Sequence, residues 1–198
     1  MDCLIVGTAS NIVKALEEEF KAKDLGKSKA FLGQNIERKE DAIYISQSGF
    51  VQKILKKFRM EDCKSVSTPM ETGFQGEDDG KTVEVPYREL VGSLIYFLCS
   101  RPDISFAVTQ DQKLVHKKTQ DGSLAGKRVL RYLKVTQDQK IVHKKTQDGS
   151  LHAYSDAAWA RDSTDRKSVS GVAVYFCGNL VSWMSKKENV VTLNIAES

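Results

Sequence analysis

The side chains best equipped for chemistry cluster between Thr109 and Leu151 of this 198-residue chain. Lys113, Lys117, Lys118, Lys127, Arg128, Arg131, Lys134, Lys140, Lys144 and Lys145 stand there against four aspartates, a local net charge of +6 that leaves −2 for the rest of the chain. Such a field suits nucleic acid, an anionic membrane or an acidic partner, and equally a solvated surface. Tyr132 is the only aromatic residue in the stretch, so stacking platforms are missing and any nucleic-acid contact is expected to be weak, phosphate-driven and salt-sensitive. His116 and His143 occupy equivalent places in two near-identical stretches, TQDQKLVHKKTQDGSL (109–124) and TQDQKIVHKKTQDGSL (136–151), which differ only at Leu114 and Ile141. No cysteine or carboxylate recurs beside them at ligand spacing, so they read as solvated histidines and no metal site is expected.

Two repeats are too few for a solenoid, and their polar "TQDQ" and "TQDG" halves favour an exposed loop over a helix. The duplication reads as a scar rather than a device used twice. Cys3, Cys63, Cys99 and Cys177 form no CxxC pair, which fits free thiols in a reducing compartment. The opening MDCLIVGTAS lacks the basic n-region of a secretory signal, and "LVGSLIYFL" at 90–98 is too short to span a bilayer.

The elements that would position these residues follow from periodicity. "CLIV" reads as a short strand, and Ile12, Leu16 and Phe20 recur at helical spacing behind Ser10. Ala30–Arg38 and Ala42–Ser46 read as two strands joined by the charged turn "KED". "SGFVQKILKKFRM" carries one apolar stripe through Val51, Ile54, Leu55 and Phe58. "YRELVGSLIYFLC" and "LAGKRVLRYLKV" are also helical, and Pro102 opens a short helix between them. From Leu151 the period changes to two. "LHAYSDAAWA" is a strand, "KSVSGVAVYFCGNLVSWMS" a hairpin turning at Gly178–Asn179, and "VVTLNI" a further strand.

Six blocks in order, "DCLIVG", "DLGKSKAFLGQNI", "ISQSGFVQKILKKFRMEDCKSVSTPM", "YRELVGSLIYFLCSRPDISFAV", "KRVLRYLK" and "YSDAAWARDSTDRKSVSGVAVYFCGNLVSWMSKK", resemble the Pol polyprotein of copia-type LTR retrotransposons. The resemblance spans nearly all of the chain except 109–124. It implies an α+β fold, with a truncated reverse transcriptase palm end and thumb/connection helices followed by an incomplete ribonuclease H-like antiparallel sheet. The corresponding regions are 1–108, a basic helix and duplicated polar segment at 109–150, and 151–198. Family members hold Mg²⁺ with several carboxylates, which clamp the attacking and leaving oxygens. The resemblance places one such carboxylate at Asp2 and one at Asp156, with Glu197 matching a neighbour of the catalytic glutamate. Neither carboxylate set is complete, so neither polymerisation nor ribonuclease H activity is expected, and no cofactor. Uncovered sheet faces and edges imply marginal stability or dependence on a partner.

Within "GKRVLRYLK", Arg128, Val129, Leu130 and Arg131 fit the RxLR pattern of host-translocated oomycete effectors. This resemblance implies a secreted protein that enters host cells, reaches nucleus or cytoplasm, and modulates defence through a host protein. A retrotransposon remnant would instead be intracellular. A third expectation is non-catalytic nucleic-acid binding through 109–151.

Overall fold

The four-residue recurrence of Ile12, Leu16 and Phe20 does form a helix, α1 (Ser10–Phe20). The computed structural model describes residues 3–7, 10–71, 86–109, 120–158 and 168–187. Among these, the ends of the α1 stripe are exposed, Ile12 at 56% and Phe20 at 69%, while Leu16 is half-buried. The segment before it departs from expectation. Cys3–Val6 has no regular structure, because a lone apolar run becomes a strand only when another strand pairs with it.

The first sheet is antiparallel throughout, in the order β1 (Ala30–Phe31), β2 (Gln34–Arg38), β3 (Ala42–Ser46), β4 (Ile141–Lys144). The expected Ala30–Arg38 strand is split at Leu32–Gly33, both at positive φ (45° and 69°). Glycine is required there for space as well as conformation. A Cβ on Gly33 would stand 2.6 Å from the Tyr96 hydroxyl, which donates a hydrogen bond to the Leu32 carbonyl.

Helices α2 (Ser48–Lys57), α3 (Tyr87–Phe97) and α4 (Gln120–Val135) supply the core. Pro102–Ile104 forms a 3₁₀ turn that runs on as helix through 109. Their stripes converge: Val51, Leu90, Leu94, Phe97, Ile104, Val108, Val129, Leu130 and Leu133 are each 2% exposed or less and form one cluster. The joint between α2 and α3 is polar but satisfied. Buried Gln47 accepts from Ser100 Oγ at 2.5 Å and donates to the Tyr96 carbonyl at 3.3 Å.

The second sheet is an antiparallel meander, β5 (Leu151–Ala158), β6 (Val169–Phe176) and β7 (Asn179–Lys187). The β6–β7 turn is centred on Cys177 and Gly178, at φ 52° and 70°, one residue earlier than expected. Two positive φ values make the mirror-image turn whose twist matches a hairpin. This sheet docks on the helical unit through single bonds. Trp183 Nε1 donates to the Leu98 carbonyl at 2.9 Å, and Thr109 Oγ1 to the Ser185 carbonyl at 2.9 Å. Asn179 clasps the Lys144 backbone, accepting from its N–H at 2.7 Å and donating to its carbonyl at 3.0 Å. The architecture is α+β with antiparallel sheets.

The second repeat corrects the reading of the duplication as loop. Its Ile141–Lys144 is strand β4, held in register by Ala42↔Lys144, Ile43↔His143, Tyr44↔Val142 and Ile45↔Ile141. Of the first repeat, 110–119 lie outside the described residues, while Gln120–Leu124 is the first part of α4.

Candidate functional site

Helix α4 carries the RxLR tetrad, and the core takes its two central residues. Val129 and Leu130 are each 1% exposed. The flanking residues lie on the neighbouring face and reach one connecting segment. Arg128 pairs with Glu71 (2.5 Å) and donates to Thr68 Oγ1 (3.1 Å), while its Nε is buried without a partner among the described residues. Arg131 Nε donates to the Lys64 carbonyl at 2.5 Å. One turn further, Lys134 Nζ donates to the Cys63 carbonyl at 2.8 Å. Three cations thus bind the strap 63–71 along α4. Cationic donors satisfy backbone carbonyls that would otherwise be left unpaired against the helix.

The C-terminal end of α4 is locked by a group that periodicity could not reveal. Arg101, 3% exposed, forms a two-bond fork with Asp103 (2.9 and 2.7 Å) and donates to the Thr136 carbonyl (3.0 Å) and Oγ1 (2.6 Å). Tyr132 OH donates to the same carboxylate at 2.9 Å. Burial works against ionisation of Asp103, but the Arg101 fork outweighs it and holds the carboxyl below the ordinary aspartate range. Burial and the neighbouring carboxylate push the Tyr132 phenol up. The sequence signal was the Arg-Pro-Asp spacing, two residues apart across a helix start. Its partners on α4 are some 30 positions away.

The other described lysines of the basic set, Lys127, Lys140, Lys144 and Lys145, are spread over α4, β4 and the residues flanking β4. Lys140 pairs with Glu37 at 2.7 Å and lies over the Tyr44 ring at 5.7 Å. The hydrogen bond to Lys140 lowers the Glu37 pKa, and the same bond raises that of Lys140. Lys144 and Lys145 follow on β4 and its exit, where the Lys145 N–H donates to the Asp41 carbonyl at 2.7 Å. Lys127 sits half-buried on α4. Lys113, Lys117, Lys118 and His116 lie outside the described residues, as do Asp2, Glu197 and the "VVTLNI" segment. His143 is half-buried opposite Ile43.

Asp156 is exposed on β5, with Gly171 directly across on β6. Alternation puts His152, Tyr154, Ala173, Tyr175 and Trp183 on its face, and none of these is acidic. Among the described residues no three His, Cys, Asp or Glu gather to hold a metal. Carboxylate chemistry with two metal ions requires several oxygen donors around one point. Among the described residues this sheet supplies one, Asp156. Near Asp156 an open groove of about 480 Å³ is lined by His152, Tyr154, Ala173, Tyr175 and Gly178. The tyrosine rings meet edge to face at 5.8 Å. A paired aromatic surface, which the 109–151 window with its single Tyr132 lacks, is therefore present just beyond it.

An α+β chain with these blocks in this order is of the retrotransposon Pol type. The family described as "Reverse transcriptase (RNA-dependent DNA polymerase)" matches residues 1–72. The whole chain is 38% identical over 204 residues to the "Retrovirus-related Pol polyprotein from transposon RE2" of Arabidopsis thaliana, but spans only 14% of that polyprotein. It is 30% identical over 203 residues to the "Uncharacterized mitochondrial protein AtMg00810" of the same plant, covering 85% of it. Over 114 residues, 57% of this chain and 80% of the relative, it is 38% identical to "Secreted RxLR effector protein 161" of Plasmopara viticola. The chain belongs to the copia-type retrotransposon Pol family. No solved structure matches it. Among the described residues, no helix is long and apolar enough to cross a membrane.

Proposed function

We propose that this Pol-derived chain performs no phosphodiester chemistry of its own, and that its described part is a packed scaffold joining thumb/connection-type helices to a ribonuclease H-like sheet. The observation that carries this reading is the setting of Asp156, a carboxylate facing glycine and aromatic neighbours without an acidic partner on its sheet. The test is incubation with an RNA–DNA hybrid, and with a primed template plus nucleotides, in Mg²⁺ or Mn²⁺. The expected outcome is neither cleavage nor extension; cleavage abolished by Asp156→Asn overturns the reading.

A second reading is favoured by the relative named as a secreted RxLR effector. On this reading the chain is secreted, enters host cells and modulates defence through a host protein. Because Arg128 and Arg131 are engaged with the 63–71 strap, the folded surface, not an extended tetrad, would meet that partner. Expression in leaf tissue challenged with a cell-death elicitor should then reduce the lesions, and lesions of unchanged extent would remove this reading.

A further inference from the structure

The first repeat carries the β4 sequence a second time, with one substitution. Apart from Ile141, each β4 residue in register with β3 has an identical counterpart in the first repeat. Lys140, which pairs with Glu37 and covers Tyr44, corresponds to Lys113. Ile141, Val142, His143 and Lys144, in register with Ile45, Tyr44, Ile43 and Ala42, correspond to Leu114, Val115, His116 and Lys117. The Lys145 N–H bond to the Asp41 carbonyl and the clasp of the Asn179 side chain on Lys144 use only main-chain atoms of the two lysines. The single difference, Leu114 for Ile141, exchanges one apolar residue for another, with a modest loss of strand preference. Charge complementarity is retained, since Glu37 meets a lysine in either case.

The resident strand is also lightly held. It is four residues long, Val142 is 36% exposed, Lys144 is exposed, and Ile141 and His143 are only half-buried. Displacing it opens no core. Exchange of identical elements between molecules is a low-cost route to dimers.

We propose that the β3 edge is a recognition surface for the repeat sequence, and that its partner is a second molecule of this chain, whose Lys113–Lys118 segment takes the place of β4. Within one molecule the same exchange is tightly tethered, because Thr119 alone separates Lys118 from the start of α4 at Gln120. This inference is independent of either functional reading.

The test uses the full chain and a labelled peptide of sequence TQDQKLVHKKTQDGSL. The peptide should bind saturably, and a scrambled peptide should not. Val142→Pro, which disables the resident strand, should raise its affinity by about tenfold, since the edge is no longer occupied. Lys140→Glu, which sets like charges against Glu37 without a backbone constraint, should act in the same direction and guards against misfolding of the proline variant. Light scattering should show Val142→Pro forming dimers as concentration rises, and an added Val115→Pro should return it to monomer. Equal binding of both peptides, or no binding to any of the three chains, overturns the proposal. So does a folded Val142→Pro chain that stays monomeric at every concentration, which would mean the exchange occurs within one molecule.

Discussion

The helical unit and the β5–β7 sheet share one chain but bury their apolar residues to very different degrees. Around α2, α3 and α4, Leu90, Leu94, Phe97, Ile104 and Leu133 have no exposure at all. On the sheet, Leu151, Tyr154, Phe176 and Met184 are 67%, 63%, 49% and 51% exposed. The helices meet one another on several sides, whereas the sheet is attached through contacts such as those of Trp183, Thr109 and Asn179. Stability therefore resides in the helical unit, and the sheet depends on it for orientation.

Substitutions can break that contrast at its strong end. Leu130→Ala removes a 1% exposed side chain from the centre of the cluster and should cost about 3 kcal/mol in urea unfolding. Arg101→Met removes the buried guanidinium that forks to the partly exposed Asp103 and bonds Thr136, and should cost about 2 kcal/mol. Adding Asp103→Leu should recover part of that loss, because the stranded charge goes with it. A full, undiminished loss in the double variant would show that the pair contributes packing rather than charge compensation.

Acid probes the same knot. The folded pKa of Asp103 lies below its unfolded value, so its contribution is present above the ordinary aspartate pKa of about 4 and is lost as pH falls through the folded value. The urea midpoint should decline below about pH 4, and the decline should be shallower in Asp103→Asn. Arg128→Ala releases Glu71 and Thr68 from a partly exposed pair and should cost about 1 kcal/mol. At the weak end, Leu151→Ser should change stability by less than about 0.5 kcal/mol; a cost like that of Leu130→Ala would mean the sheet face is covered in solution.

Much of the fold could be read from local pattern. The stripes of α2, α3 and α4 were visible as apolar spacing, and so were the alternation of β5 and β6 and the start at Pro102. The family was visible in the order of its blocks. Errors arose where one segment's conformation belongs to another. "CLIV" has strand composition but no described partner, and Ile12 and Phe20 have helix spacing but no cover. Of the candidate site residues, Asp156 could be placed on its strand, but its lack of acidic neighbours depends on the register with β6. The Arg101 knot was hidden because Tyr132 and Thr136 meet the Arg101–Asp103 pair only after α4 has packed.

The repeat divides the two kinds of information most clearly. By itself the sequence determined helical and strand periods, the charge of 109–151, and membership of the Pol family, since these depend on residue type and spacing. It did not determine what "TQDGSL" becomes. In the first copy, Gln120–Leu124 is the opening of helix α4. At 146–151 the same letters form a turn, with Asp148 accepting from the Ser150 N–H at 3.0 Å and from its hydroxyl at 2.6 Å, before Leu151 enters β5. The Ser150 carbonyl there accepts from the Cys177 N–H at 2.8 Å. A polar hexapeptide has little intrinsic preference between these states, so the choice falls to buried neighbours and long-range hydrogen bonds, which tertiary structure alone supplies.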